Sequence, residues 1–201
     1  FGNGVHGVLS HEQEGFKVAE NSMRPLFIDI GARNRAEAET MVKLGDMAVY
    51  VPDAFELGED LMASPAMDNR VGCAVGIEAL KLLKDCPNEV VAVFTVQEEV
   101  GLRGAAPAAY AVKPDFCINV DLTHANDAPG AKGPVRLGGG VCIKYKDRSV
   151  ICDRAMISHL ETVADREKIK TQVDILTVGG TDTGPIQSSR AGVLSGAPSI
   201  P

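Results

Sequence analysis

Four acidic residues lie where predicted strands end or a predicted helix begins. Glu98 and Glu99 directly follow residues 90–96, an apolar, β-branched run typical of a strand buried on both faces of a parallel sheet. Asp121 ends a second apolar run, and Asp68 opens a segment with helical spacing. Because open α/β sheets bind ligands beyond the carboxyl ends of their strands, we expect these carboxylates to meet at one rim.

Four carboxylates at one rim repel one another unless cations lie among them. Carboxylate oxygens are suitable ligands for zinc, manganese or cobalt. The adjacent pair also allows a division of labour, in which Glu98 or Glu99 binds a metal while its neighbour accepts a proton from water. Each residue alone has a plainer explanation, since Asp68 could cap a helix, Asp121 could form an Asx turn and the glutamates could be solvated. The set together predicts a metal site.

Two patterns of predicted strands and helices along the chain indicate two domains. Residues 64–201 alternate strand and helix, with helices expected from 68, 104 and 154 and strands at 90–96, 116–121, 141–145 and 173–178. Residues 1–63 show short strands at 5–9, 26–30 and 46–51, a polar loop at 11–24 and one helix capped by Asn34 and Glu37. We therefore predict an α/β fold, a mostly parallel sheet with flanking helices, preceded by a small β-rich domain.

Composition excludes several classes of function. The formal net charge of −7 argues against a nucleic-acid-binding surface. No apolar run approaches the length that crosses a bilayer. The five cysteines form no Cys-x-x-Cys pair, so a thiolate zinc site or a disulfide framework is not expected. Small buried thiols in a reducing compartment fit better, and we expect a cytoplasmic protein.

Five segments, in order, resemble the tetrahedral or glutamyl aminopeptidases, a family of dinuclear metallopeptidases with some members described as endoglucanases. The resemblance covers essentially the whole chain, and the segment around the paired glutamates is its most specific part. The segments are FIDIGA (27–32), MDNRVGC (67–73), FTVQEEVGLRGA (94–105), VDLT (120–123) and GGTDTG (179–184).

The resemblance implies roles for matching residues. Asp68 would bridge two divalent ions, Glu99 and Asp121 would each bind one, and Glu98 would be the general base. The ions would be zinc, with cobalt or manganese as alternatives. They would activate the water that releases N-terminal residues from peptides. The segment formed by Gly179, Gly180, Thr181 and Asp182 would lie near the substrate. A plain tight turn explains these four residues equally well.

The resemblance also implies self-association and a missing part of the site. Residues 1–63 would mediate dimerisation and assembly into a hollow dodecamer. Family members carry an upstream His-x-Asp segment and a downstream His after an Arg-Tyr pair, and these 201 residues contain neither. We therefore expect a catalytic domain that lacks both ends, with negligible peptidase activity and weak metal affinity when expressed alone. His124, three residues beyond Asp121, is an alternative ligand.

Two other functions stay open at this point. A glycoside hydrolase would also use paired carboxylates, but adjacent glutamates fit poorly with two acids that flank a sugar. A non-catalytic assembly subunit that has lost its metals is the second alternative. Chelator sensitivity separates the peptidase from the glycosidase, and elemental analysis of the full-length protein identifies the metal-free subunit.

Overall fold

The computed structural model describes residues 1–11, 26–51 and 53–201, with only the backbone of His11 included. The chain divides into two compact units, Phe1–Pro65 and Ala66–Pro201. The polar loop predicted over 11–24 lies outside the described residues, apart from the backbone of His11. No helix in the described residues combines the length and apolar character needed to cross a bilayer.

The first unit consists of two antiparallel strand pairs and one helix. Strand β1 (Val8–His11) pairs with β2 (Leu26–Asp29), and β3 (Phe55–Leu57) pairs with β4 (Leu61–Ala63). Helix α1 (Arg35–Met41) starts where the sequence predicts, because the Asn34 side chain accepts a hydrogen bond from the Glu37 N–H at 3.0 Å.

The strand predicted over 46–51 is wrong. These residues adopt no regular structure, and Met47, Val49 and Tyr50 are exposed. A strand forms only where a neighbour completes its hydrogen-bonded ladder, and none of the described residues provides one here. Strands β3 and β4 instead form the next hairpin, which the apolar pattern did not predict.

The second unit contains a mixed sheet flanked by helices, which confirms the α/β prediction. The sheet order is β6-β10-β7-β8, with β6 parallel to β10 and β7 parallel to β8. A separate parallel pair joins β5 to β9. The strands are β5 (Phe116–Ile118), β6 (Asp121–Leu122), β7 (Val141–Lys146), β8 (Thr171–Ile175), β9 (Leu194–Gly196) and β10 (Pro198–Ile200). The helices are α2 (Met67–Leu82), α3 (Ala105–Val112), α4 (Arg154–Glu167) and α5 (Thr183–Gln187).

The core of this unit lies between the sheet and α4. Apolar residues of α4 recur at helical spacing, so one face of the helix packs on the sheet while the other faces water. Strand β7 is an inner strand, because β10 pairs along one of its sides and β8 along the other. The buried core residues are Ile143, Val150, Cys152, Ile157 and Ala197, with Tyr145 and Leu160 packed against them.

The central strand predicted over 90–96 is absent. These residues form no ladder, and the Val90, Val91 and Val96 side chains are about half exposed or more. Helix α2 forms as predicted, but it is largely uncovered, since Gly72 is its one buried residue. The apolar pattern records a tendency to be buried, but no described residue covers these two surfaces.

Candidate active site

The predicted site carboxylates line one cavity of about 530 Å³ in the second unit. Asp68 lies in the first turn of α2 and Asp121 begins β6. Glu98 and Glu99 occupy a turn that follows residue 96. The cavity therefore collects the acidic residues of three separate segments, and Asp182 lines it as well.

Asn69 joins the Asp68 segment to the strand that carries Asp121. Its side-chain amide donates to the Val120 carbonyl at 2.8 Å, and its oxygen accepts from the Gly72 N–H at 3.1 Å. A Cβ at position 72 would lie 2.0 Å from the Asn69 Oδ1, so any larger residue there would displace the Asn69 amide from these two bonds. This contact holds the start of α2 beside β6.

A compact turn presents Glu98 and Glu99. The Leu102 N–H donates to the Glu98 carbonyl at 2.8 Å, and the Gly104 N–H donates to the Val96 carbonyl at 3.0 Å. A Cβ at position 104 would lie 2.5 Å from that carbonyl oxygen, which requires glycine. Gln97 and Leu102 have φ values of 58° and 56°, so non-glycine residues on both sides of the pair adopt the left-handed region. Such conformations are concentrated at functional sites.

Burial and mutual repulsion raise the pKa values of two of these carboxyl groups. Burial, followed by the negative charges of Asp121, Asp182, Glu99 and Asp68, raises the pKa of Glu98 to about 7. Burial also raises the pKa of Asp121 to about 6. The hydrogen bond that this carboxylate accepts from the Leu122 N–H acts in the opposite direction and lowers the pKa. A base with a pKa near neutrality accepts and releases protons readily at physiological pH.

Asp182 is the most enclosed acidic residue of the cavity, and only 5% of it is exposed. Its Oδ2 accepts a hydrogen bond from the Thr95 hydroxyl at 2.5 Å. Among the described residues, none hydrogen-bonds to its Oδ1. The other three predicted substrate residues are not part of the cavity lining. Gly179 and Gly180 are exposed, and the Thr181 hydroxyl donates to Asp147 at 2.9 Å.

The donor set has the chemistry that a divalent cation requires. Acidic side chains line one cavity, burial and neighbouring negative charges raise the pKa values of Glu98 and Asp121, and one buried oxygen has no partner within the described part of the chain. Residues 1–11, 26–51 and 53–201 contain no group of three or more His, Cys, Asp or Glu side chains close enough to hold an ion as they stand. His124 is exposed and does not line the cavity.

Two polar residues that position the site were not identified from sequence. Asn69 was seen only as part of a helix start, and Thr95 only as part of an apolar run. A signal exists for Thr95, because it is the one hydroxyl within VAVFTV, three residues before the first glutamate. Asn69 carries no comparable signal, since an asparagine near a helix start is explained by hydrogen bonds to its own neighbouring backbone.

Comparisons with known proteins identify relatives of the chain by sequence and by fold. A protein of Acetivibrio thermocellus, whose name assigns it aminopeptidase activity provisionally, is 48% identical over the whole chain. An aminopeptidase from the archaeon Desulfurococcus kamchatkensis superimposes with a TM-score of 0.91 at 36% identity over 97% of the chain. A Pyrococcus horikoshii peptidase, described as assembling into a tetrahedron or a large octahedral shell, gives 0.79 at 34% identity, again over 97%.

The chain is shorter than all three of these proteins. It spans 61% of the Acetivibrio protein, 56% of the Desulfurococcus chain and 59% of the Pyrococcus chain. The family model described as M42 glutamyl aminopeptidase matches residues 3–201, which is nearly all of the chain. The chain belongs to the M42 glutamyl aminopeptidase family.

Proposed function

We propose that the protein is a metal-dependent aminopeptidase that releases N-terminal residues from peptides. The observation that carries this proposal is the meeting of Asp68, Glu98, Glu99 and Asp121 in one cavity of an M42-family chain. Asp68, Glu99 and Asp121 would hold two divalent ions, zinc with cobalt or manganese as alternatives. Bound ions of this kind polarise a carbonyl and lower the pKa of water.

Glu98 is the proposed general base. Its pKa of about 7 allows it to accept a proton from the water that attacks the first peptide carbonyl. The same carboxyl group then donates that proton to the departing amine. Because Glu98 is only half-buried, while Asp121 is buried, the base is reachable from the cavity.

We further propose that Asp182 contacts the substrate, as part of the segment Gly179–Asp182. Asp182 lines the same cavity as the proposed base, and no described residue hydrogen-bonds to its buried Oδ1. An acidic oxygen with this environment is suited to a cation, such as the α-ammonium group of a peptide. A free ammonium group is what distinguishes an aminopeptidase substrate from an internal peptide bond.

Self-association and a cytoplasmic location complete the proposal. The described assembly of the Pyrococcus horikoshii relative supports a homo-oligomer, for which we propose dimers that build a dodecamer through residues 1–63. All five cysteines are unpaired in the structure, which suits a reducing compartment. No specific observation favours the glycosidase or the non-catalytic subunit.

The proposal is tested on the full-length protein with aminoacyl nitroanilides. We expect hydrolysis, loss of activity on treatment with a chelator, and recovery when zinc, cobalt or manganese is added back. Glu98→Gln removes the base with little change in shape, so we expect kcat to fall about 10²- to 10⁴-fold.

Glu89→Gln is a matched control, since Glu89 is exposed and does not line the cavity. It should leave kcat unchanged, and both variants should bind the same amount of metal as the wild type. Chelator-resistant hydrolysis, or full activity of Glu98→Gln, would overturn the proposal. Elemental analysis without any bound metal would favour the non-catalytic subunit.

A further inference from the structure

The segment that carries the proposed base has few connections to the rest of the second unit. Residues 90–96 form no strand, and the backbone hydrogen bonds of 96–104 close within the turn itself, apart from the Gly104 carbonyl, which accepts from the Ala108 N–H of the adjoining α3. In the described ranges 1–11, 26–51 and 53–201, one side-chain hydrogen bond joins residues 90–104 to a distant part of the chain. It is the bond from the Thr95 hydroxyl to the Asp182 Oδ2, at 2.5 Å.

Asp182 is itself held firmly on both sides. Thr181 and Thr183 are buried, and their hydroxyl groups lie 2.9 Å apart. The Thr181 hydroxyl donates to Asp147, whose other oxygen accepts from the Ser149 N–H and hydroxyl at 2.6 and 2.8 Å. Asn119 donates to the Thr183 hydroxyl at 3.1 Å. The Asp182 carboxylate is therefore a fixed hydrogen-bond acceptor for residues 90–104, whose described side chains make no other hydrogen bond to a distant part of the chain.

We propose that the Thr95–Asp182 hydrogen bond is the positioning device for the proposed general base, with Thr95 holding the Glu98 turn against the 179–184 segment. Thr95 lies three residues before Glu98, and it is partly buried beside the cavity. The bond to a carboxylate is short and charge-assisted, the stronger kind. The inference rests on the proposed function, because it assigns a role to Glu98 in that reaction.

Thr95→Val tests the proposal, because it removes the hydroxyl and keeps the shape. In the full-length protein, a displaced base lowers kcat on the order of 10- to 100-fold, since a misplacement of about 1 Å has that effect. KM should change less than kcat, because the neighbouring Thr181 and Thr183 keep the hydrogen bonds that hold the Asp182 backbone in place. Thr95→Ser restores the hydroxyl and should recover most of kcat.

Thr162→Val is the matched control, because the Thr162 hydroxyl donates to the Ser158 carbonyl on the exposed face of α4, away from the cavity. It should leave kcat and KM unchanged. If the role of Thr95 were purely structural, Thr95→Val would instead lower the melting temperature and raise KM together. Thr95→Ser would then show the same kcat and KM as Thr95→Val. That result would overturn the proposal.

Hydrogen exchange provides a readout that does not depend on catalysis. Thr95→Val should speed exchange of the amides of residues 96–104, Thr95→Ser and Thr162→Val should not, and exchange in α4 should be unchanged. If the wild type hydrolyses no peptide but this pattern holds, the proposed function fails while the positioning contact stands. If kcat falls without faster exchange, or exchange rises without loss of kcat in an active enzyme, the positioning proposal is wrong.

Discussion

The carboxylates of the cavity make protonation and metal binding compete for the same oxygens. The pKa of Glu98 is raised from 4.5 to about 7, and that of Asp121 from 3.8 to about 6, with burial as the first cause for both. At pH values between the ordinary and the raised pKa of each group, the folded protein binds more protons than the unfolded chain. Stability without metal therefore falls as pH rises through this range.

This linkage gives a testable dependence on pH and metal. Without metal, the melting temperature of the full-length protein should be higher at pH 5 than at pH 8, because ionising Glu98 and Asp121 at pH 8 adds uncompensated charge. Zinc at pH 8 should raise the melting temperature, since cations neutralise these carboxylates. Scanning calorimetry with and without a chelator measures both effects.

Glu98→Gln/Asp121→Asn is the informative variant for this linkage. It removes both raised pKa values, so its melting temperature without metal should change less between pH 5 and pH 8 than that of the wild type. A wild-type protein that is equally stable at both pH values without metal would contradict the proposed repulsion among the carboxylates.

At the scale of elements, signals confined to a few neighbouring residues predicted the structure best. The cap of α1 at Asn34 and Glu37 is local, and it was predicted correctly because both partners lie within one turn. Helices α3 and α4 were predicted correctly for the same reason. Their length and apolar spacing are set within the helix itself.

Features that depend on distant partners were predicted poorly. Residues 90–96 have the strongest strand pattern in the chain, yet no described residue pairs with them. Strand β10 was missed because it begins with Pro198, which cannot donate a ladder hydrogen bond and weakens the strand signal. The acidic site residues were predicted from their positions at strand ends and, for Asp68, at a helix start, while Thr95 was missed because its partner is distant in sequence.

Neighbouring strands β7 and β8 contain a buried ion pair that the apolar pattern did not anticipate. The Lys144 ammonium group contacts the Asp174 carboxylate at 2.5 Å, and the two side chains are 0% and 1% exposed. The residues are direct partners in the parallel register. A buried pair of this kind is costly to break from one side, because the remaining charge has no partner.

Lys144→Met should therefore lower the free energy of unfolding by about 3–5 kcal/mol, as seen when one member of a buried pair is removed. The double variant Lys144→Met/Asp174→Leu should recover most of that loss, since neither charge is left buried. Denaturant unfolding of both variants measures the difference. A single variant as stable as the wild type would show that the pair is hydrated in solution.

At the scale of the whole molecule, the described residues leave an unusual amount of apolar surface exposed. Phe94, Phe116 and Ile118 of the second unit are 55%, 63% and 56% exposed, and the valines of 90–96 add to this surface. Soluble monomers rarely expose contiguous apolar patches of more than a few hundred Å². We therefore expect this apolar surface to be buried by atoms other than those of the described residues.

The 201-residue chain, purified alone, should consequently bind the dye ANS and self-associate, and the full-length protein should do neither through this surface. Ile118→Lys should weaken dye binding by the short chain, because it places a charge within the apolar surface. Lys113→Glu changes the charge of an exposed polar residue and should not weaken it. Fluorescence titration and light scattering measure the two effects. A monodisperse short chain without dye binding would mean that these side chains are covered within the 201 residues. It would contradict the exposure of the apolar side chains of residues 90–96.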